Sequence, residues 1–490
     1  MAPGRVPGNG SCHLGSGGML NVPVVPDQVG RRCRELLRQD GLPFAQHLPE
    51  SVIHAAVRQA GGRFRERVFT PAVTLWTFLS QVFDPDHSCR KAVAHLVAWL
   101  VAQGRRACSA DTGAYCKARQ RFPEAGLARL VRDSGRKLHD QAEHGWLWRG
   151  RRAKVVDGSG LSLADTEENQ KEYPKHRHLP PGVGFPMMRI VVIFSLAVGT
   201  VLDAAMGRFR GKLTGELSLF RTLDDALEPG DVLVGDRLFS DFWDVARLSQ
   251  RGIDIVMRLH AGRQEIPFVG RGHSKANRRI WWQKGQRPRW MSQADYDALP
   301  QWLRLRALRV EVRQRGFRTK QLDVVTTLTD AQAYPAADIA ELYRRRWQAD
   351  LNLRSLKSEM QMDILRGKTP DVARKEVWAH LLAYNLVRAL MTQAAAAEGV
   401  RPDEISFKGA LQTFDAFLPY LLLARTADEA ATRWAAMIAA IAQHRVGNRP
   451  DRYEPRAVKR RPKRYPLLSV TRKEAHQRLR NGETFDRPKT

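Results

Sequence analysis

Two short apolar runs in this chain end in a carboxylate. Lys154-Val-Val-Asp157 is followed by Gly-Ser-Gly, and Asp231-Val-Leu-Val-Gly-Asp236 is followed by Arg237. The end of a core strand is rigid and opens onto a crevice, so a side chain there is well aimed; taken singly, such an aspartate is also an ordinary turn residue. A third carboxylate, Asp350, lies in a helix predicted over residues 336–360. At about 100° per residue, Tyr343, Arg346, Asp350, Arg354 and Lys357 share an arc of roughly 80°. Leu342, Leu353, Leu356 and Met360 fill the neighbouring stripe, which packs the helix onto a sheet. One face therefore carries a phenol, three cations and one acid, which is equipment for holding a phosphodiester beside a metal ion. The same residues also read as a solvated face with i,i+4 ion pairs, Asp350 with Arg354 for instance. Three converging carboxylates repel one another unless a divalent cation lies between them. Mg²⁺ takes oxygen ligands and keeps positions for water or phosphate oxygens. Two such ions about 4 Å apart clamp an in-line attack on phosphorus.

The elements that must position these groups follow from the pattern around them. After Trp146 the chain reads as strand (154–157), a long strand Met188–Val198, a turn at Gly199-Thr200, strand Val201–Met206, helix Glu216–Leu227, strand 231–236, helix Ser240–Arg251 and strand Asp254–Leu259. That order predicts a mixed α/β sheet with helices packed on it. Residues 263–332 break the rhythm: Trp281, Trp282, Trp290 and Trp302, many arginines, and strand-like runs at 304–314 and 319–329 predict a β-rich insertion. Before the sheet, residues 27–145 form a helical N-terminal domain with segments at 31–39, 49–59, 71–83, 88–102, 113–121 and 124–144. It reads as a DNA-binding unit with a helix in the major groove, or as a packing or dimerisation domain, since no one helix stands out as a reader. The catalytic part spans 146–262 and 333–400, with a second amphipathic helix at 371–396; C-terminal helices are expected over 401–444. Residues 1–26 lack periodicity and are expected to be a disordered leader. Residues 445–490 form a basic tail: 445–465 holds nine Lys or Arg against two acids, a phosphate-binding arm or a solubilising extension.

With 80 Lys and Arg against 51 Asp and Glu, the net charge is +29 and the pI about 10.5. That surplus implies a polyanionic partner, nucleic acid first and an acidic membrane surface second. The five cysteines show no CxxC spacing, as expected of reduced thiols. No run of 18 apolar residues occurs, so no membrane span is expected, and the predicted location is cytoplasmic, at the nucleoid. There is no P-loop, so no ATP requirement is expected. His176 and His178 lie in a basic loop and are assigned no role.

Taken together, Val155-Val-Asp157-Gly-Ser-Gly, Gly230-Asp-Val-Leu-Val-Gly-Asp236-Arg, the Tyr334–Tyr343 stretch and the Arg346–Lys357 helix resemble the IS4-type DDE transposases. The helix signature of that family is Tyr, two residues, Arg, three residues, Glu, six residues, Lys; Tyr343, Arg346 and Lys357 match at that spacing. The resemblance runs from about Thr70 to the basic tail and is strongest from Lys154 to Arg388. It implies a ribonuclease-H-like core interrupted by a β insertion before the last acid. It implies that Asp157, Asp236 and Asp350 ligate two Mg²⁺, with Mn²⁺ as substitute, and that the protein cuts double-stranded DNA at terminal inverted repeats and joins the 3′-hydroxyl to target DNA. Tyr343, Arg346, Lys357 and Arg354 would hold the cleaved end, Arg237 would touch DNA, and a homodimer would assemble on it. In relatives that cut through a hairpin, an extruded base stacks on an aromatic, for which the four tryptophans are candidates. The chain departs from the family at Asp350, where the pattern has glutamate. The shorter side chain brings a metal closer to the helix, and Glu359, nine residues on, points to about the opposite face. A catalytically inactive, transposase-derived DNA-binding protein is the alternative, and a structure-selective nuclease with the same core is a third reading.

Overall fold

The computed structural model describes residues 47–64, 67–175, 184–211, 213–260, 266–267, 276–311, 321–424, 426–447, 470 and 472–482. The expected leader, the 31–39 segment, the His176/His178 loop and most of the basic tail lie outside the described residues.

The described chain begins with helices α1 (Glu50–Gln59), α2 (Pro71–Phe83), α3 (Cys89–Ala102), α4 (Gly113–Arg121) and α5 (Glu124–Asp140), close to where periodicity placed them. Their starts are chemically marked. Thr70 accepts from the Val73 N–H at 3.3 Å with Pro71 as the first helical residue, and Ser88 accepts from the Lys91 N–H at 3.1 Å, each satisfying a donor the helix leaves free.

Strand β1 (Ala153–Ser162) is followed by short helix α6 (Glu167–Glu172), the hairpin β2 (Met187–Ser195) and β3 (Val201–Arg208), and short helix α7 (Glu216–Phe220). Then come β4 (Val232–Gly235), α8 (Phe242–Gln250) and β5 (Asp254–Arg258). The predicted insertion supplies β6 (Ile266–Pro267), β7 (Asn277–Gln283), α9 (Gln293–Ala298), β8 (Trp302–Glu311) and β9 (Gln321–Thr326). All join one mixed sheet in the order β3-β2-β1-β4-β5-β9-β8-β7-β6. The pairs β1/β4 and β4/β5 are parallel and the rest antiparallel, so the inserted strands extend the sheet from the β5 edge. The β2–β3 connection is longer than the two-residue turn expected from Gly199-Thr200. Strand pairing closes at Phe194 and Val201, and Gly199, at φ 75°, takes the left-handed position that costs an L side chain energy.

The period of two splits the strands between two cores. Val155, Val192, Val232, Val234 and Val256 face one side, and Val156, Val191, Ile193, Leu233 and Ile255 face the other, where α7 and α8 pack. The first side is covered by α10 (Ala336–Arg344), α11 (Trp347–Arg354) and above all α12 (Pro370–Glu398), a 29-residue helix whose capping Thr369 and terminal Gly399 bound it. Helices α13 (Phe407–Leu422) and α14 (Ala427–Gln443) pack on α12, and α15 (Arg472–Arg480) stands near the C-terminus. Helix α12 also contacts α5 and α2, so the N-terminal helices share its core. At its centre the Asn385 side chain accepts from the Val201 N–H at 2.8 Å and donates to the Val201 and Val131 carbonyls, which ties α12 to β3 and α5 together. Gly135 of α5 permits the closest approach: a methyl group there would lie 1.9 Å from the Val201 carbonyl oxygen.

Candidate active site

Asp157 is not at a strand end. Strand β1 continues through Gly158-Ser159-Gly160 to Ser162, because β2 pairs with every residue of that stretch, Asp157 against Val192. It is β4 that stops. Its last residue is Gly235, and its pairing with β1 ends at Val155 against Val234. Carried two residues further, that register sets Asp157 beside Asp236 on the sheet face covered by α10–α12, with no strand between them and the crevice. Asp157 Oδ1 accepts from the Gly158 N–H at 2.8 Å, and Asp236 Oδ1 accepts from the Leu238 N–H at 2.7 Å, which fixes the turn leaving β4.

The single helix predicted over residues 336–360 is broken in two places. After α10 the bonds tighten: Arg346 N–H donates to the Tyr343 carbonyl, Gln348 to Arg345 and Ala349 to Arg346, all three residues back. At the far end Ser355–Glu359 forms a π turn, closed by the Met360 N–H on the Ser355 carbonyl at 3.0 Å. One departure overwinds the helix and the other underwinds it, so the five residues of the predicted arc do not share one environment. Tyr343 is buried, Asp350 and Lys357 are half-buried, and Arg354 is exposed. Asp350 does form the intrahelical ion pair that the bland reading expects, but with Arg346, at 3.2 Å, rather than with Arg354. Lys357 Nζ donates to Ser159 Oγ at 3.0 Å and to the Gly160 carbonyl at 3.1 Å, which fastens the π turn to β1 just past Asp157. Arg237 is exposed beside Asp236.

The charges show which groups feel one another. Burial pushes the Asp157 carboxyl up to about 6; the fields of Asp350 and Asp236 push the same way, against the Gly158 N–H and Arg346. The Tyr343 phenol is raised by burial, opposed by Arg346 and Arg258 and aided by Asp236. Asp157, Asp236, Asp350, Tyr343 and Arg346 therefore share one electrostatic neighbourhood. As the side chains stand, no three His, Cys, Asp or Glu groups among the described residues are close enough together to hold a metal. Asp350 is held by Arg346 instead. The donor chemistry nevertheless suits a hard cation: oxygen ligands only, set against one another, one of them reluctant to ionise without a counter-charge.

Three residues near the site escaped sequence reasoning. Arg258 ends β5 and reaches the Tyr343 neighbourhood, a placement that only the β4/β5 pairing reveals. The Glu216 carboxyl lies against Gly158, where a methyl group would sit 2.7 Å from it, and also feels Asp236. Trp347, at 53 % exposure, stands out from α11 directly after Arg346; its proximity to the signature was the available signal. The four tryptophans named for base stacking divide. Trp282 is core, Trp290 lies under the Arg221 guanidinium at 3.6 Å, Trp281 is half-buried on β7, and Trp302 is 41 % exposed on β8.

Residues 148–386 match the family described as the transposase DDE domain. The transposase InsG of insertion sequence element IS4 from Escherichia coli K12 is 25 % identical over 444 residues, spanning 88 % of this chain and 94 % of that protein. The transposase of insertion sequence element IS421 from Escherichia coli is 39 % identical over 64 residues, 13 % of this chain and 17 % of its own. Among solved structures, the piggyBac transposase synaptic complex with hairpin DNA aligns with a TM-score of 0.40 and 11 % identity, over 85 % of this chain and 86 % of that one.

Proposed function

Since the chain resembles the IS4-type DDE transposases over most of its length and carries a transposase DDE domain at 148–386, we propose that it moves an insertion sequence by cut-and-paste transposition. It would cut at the terminal inverted repeats and join the freed 3′-hydroxyl to target DNA on a ribonuclease-H-like core. The observation that carries this reading is the register that sets Asp157 beside Asp236, with Asp350 close enough to raise the Asp157 pKa. The strand order β3-β2-β1-β4-β5, antiparallel then parallel, supports the core assignment.

Asp157, Asp236 and Asp350 are the residues that would hold two Mg²⁺, or Mn²⁺ in their place. Bound there, the ions would supply activation of the attacking oxygen and charge for the leaving one. Asp350 joins that set by leaving its pair with Arg346, which frees the guanidinium for a phosphate of the cleaved end. Tyr343 holds its phenol protonated, as burial dictates, and can donate to a phosphate oxygen. Lys357, fastened to β1, fixes the height of the helix over Asp157, and Arg258 adds a second guanidinium on the sheet side. Arg354 and Arg237, both exposed, extend the basic rim along the DNA. Positioning of this kind is costly to disturb, since a displacement of about 1 Å lowers rate on the order of a hundredfold. Joining two element ends calls for two protomers, so a homodimer on DNA belongs to the proposal. No ATP is needed for transesterification. No helix among the described residues is long and apolar enough to cross a membrane, and we place the protein in the cytoplasm at the nucleoid.

The Asp350–Arg346 pair favours one second reading: a DNA-binding protein of transposase descent that no longer cuts. Cleavage of DNA carrying the inverted repeats that flank this reading frame decides, with Mg²⁺ or Mn²⁺ and with Asp350→Glu and Asp350→Ala beside wild type. Cutting by wild type, lost in Asp350→Ala, is the expected result. Silence from wild type with cutting by Asp350→Glu means a decayed copy. Silence from all three with tight binding refutes the enzyme.

A further inference from the structure

Two glycines let α7 settle against the sheet. A methyl group on Gly207 of β3 would lie 2.9 Å from Leu219, and one on Gly158 of β1 would lie 2.7 Å from the carboxyl carbon of Glu216. Glycine inside a strand weakens it, so its presence there marks a close approach. The first glycine admits core, since Leu219 joins Phe220 and Phe239 in the apolar layer of α7 and α8. The second admits a carboxylate, one residue along the strand from Asp157.

Successive positions of a strand face opposite ways, so Glu216 meets β1 from the α7 side and Asp157 leaves it towards α10–α12. The edge of β1 between them is open, because β4 stops at Gly235 and its pairing ends at Val155 against Val234. Asp236 leaves β4 at this level, and its charge reaches Glu216. Three acids thus border one open strand edge, one from each face and one from the end of the neighbouring strand.

Glu216 also lacks a partner that would explain it. It is half-buried, yet among the described residues it accepts no hydrogen bond; its ion pair, from Arg189 Nε to Oε1, spans 3.8 Å. Arg189 is held elsewhere: Nη1 donates to the Thr214 carbonyl at 2.7 Å, the guanidinium lies over Phe209 at 4.6 Å, and Nε is buried without a hydrogen-bond acceptor. A first-turn acid suits a helix N-terminus, but that role requires no glycine opposite it. Asp350, by contrast, is engaged by Arg346 at 3.2 Å, so in the absence of DNA the carboxylate left over beside Asp157 and Asp236 is Glu216.

We propose that Glu216 is a fourth carboxylate of the cation site, and that with Asp157 and Asp236 it holds the first divalent cation in DNA-free protein, while Asp350 stays paired with Arg346. Carboxylate oxygens suit Mg²⁺ and Mn²⁺, and without DNA no phosphate oxygen is present to complete such a site. Arrival of a phosphate at Arg346 then releases Asp350 to serve the second cation, so that Asp350 completes the site only when DNA is in place. The proposal rests on the two-cation reading of this site.

The test is Mn²⁺ binding to full-length, EDTA-stripped protein, followed by electron paramagnetic resonance of the free ion, with and without a duplex carrying the inverted repeat. Wild type is expected to bind Mn²⁺ without DNA. Glu216→Gln, which keeps shape and removes charge, should weaken that binding at least about tenfold, and Asp350→Asn should weaken it far less. Saturating Mn²⁺ should restore end cleavage by Glu216→Gln, a recovery that a merely structural defect would not show. Thermal melts identify a variant that fails to fold; Gly158→Ala, which displaces Glu216 and keeps every carboxylate, should also weaken Mn²⁺ binding and then carries the test. Unchanged affinity in Glu216→Gln, an equal loss in Asp350→Asn, or wild-type binding only with the duplex present overturns the proposal and leaves the proposed function standing. Wild type that binds no Mn²⁺ with or without DNA overturns both.

Discussion

Removing the charge of Asp157 should make the metal-free protein more stable at neutral pH. Burial and the fields of two other aspartates move its pKa from 3.8 to about 6. Two pH units correspond to about 3 kcal/mol, and solvent screening of a partly exposed group reduces this to about 1–3 kcal/mol. The sign follows from proton binding. Between pH 3.8 and about 6 the folded state holds a proton that the unfolded state has released, so stability falls as pH rises through that window and the deficit is complete above it. Asp157→Asn keeps an acceptor for the Gly158 N–H and never ionises. In melts with EDTA it should match or trail wild type near pH 4 and exceed it by a few degrees at pH 8. Mg²⁺ should reverse the order, raising wild type and leaving Asp157→Asn unmoved. A difference between the two proteins that stays constant from pH 4 to pH 8 would refute the raised Asp157 pKa and the burial that causes it.

Other substitutions test the frame around the site. Lys154 and Asp231 form a buried ion pair at 2.6 Å, 3 % and 2 % exposed; Lys154→Met should cost about 3–5 kcal/mol by chemical denaturation, with Lys154→Met/Asp231→Leu recovering most of it. Gly135→Ala sets a methyl group against the Val201 carbonyl, backbone on both sides, and should cost roughly 3 kcal/mol or more and lower soluble yield. Gly158→Ala meets the Glu216 side chain rather than backbone and should melt within about 1 kcal/mol of wild type. Lys357→Met releases the π turn from β1 and should slow end cleavage at least about tenfold, with duplex affinity changed less than about twofold.

Much of this fold was legible because its signals are local. The apolar runs Ile190–Phe194 and Val232–Val234 and the capped helices at Thr70 and Ser88 each declare themselves within a few residues. Asp157 and Asp236 were legible for the same reason, each closing an apolar run. What the chain concealed depends on partners far away in sequence. Gly158-Ser159-Gly160 reads as a turn and is a strand only because β2 pairs with it. The break after Arg344 and the π turn at Ser355–Glu359 defeat a constant 100° step, so Tyr343 and Arg354 part company. Arg258 enters the site through the pairing of β5 with β4, and Asp350 chose Arg346 over Arg354 through the tightened turn between α10 and α11.

Helix α12 bears on how such a chain can diverge. It is the common wall of the N-terminal helices, the sheet and the C-terminal helices, with Asn385 joined to β3 and α5 at once. Foreign N-terminal helices grafted onto this frame would meet Val201 of β3 and Asn385 of α12 without the close approach that Gly135 permits. Chimeras joined between α5 and β1 should be insoluble, whereas exchanging only the outward residues of α4 should be tolerated. Divergence is thus confined to surface substitution on a frame inherited whole.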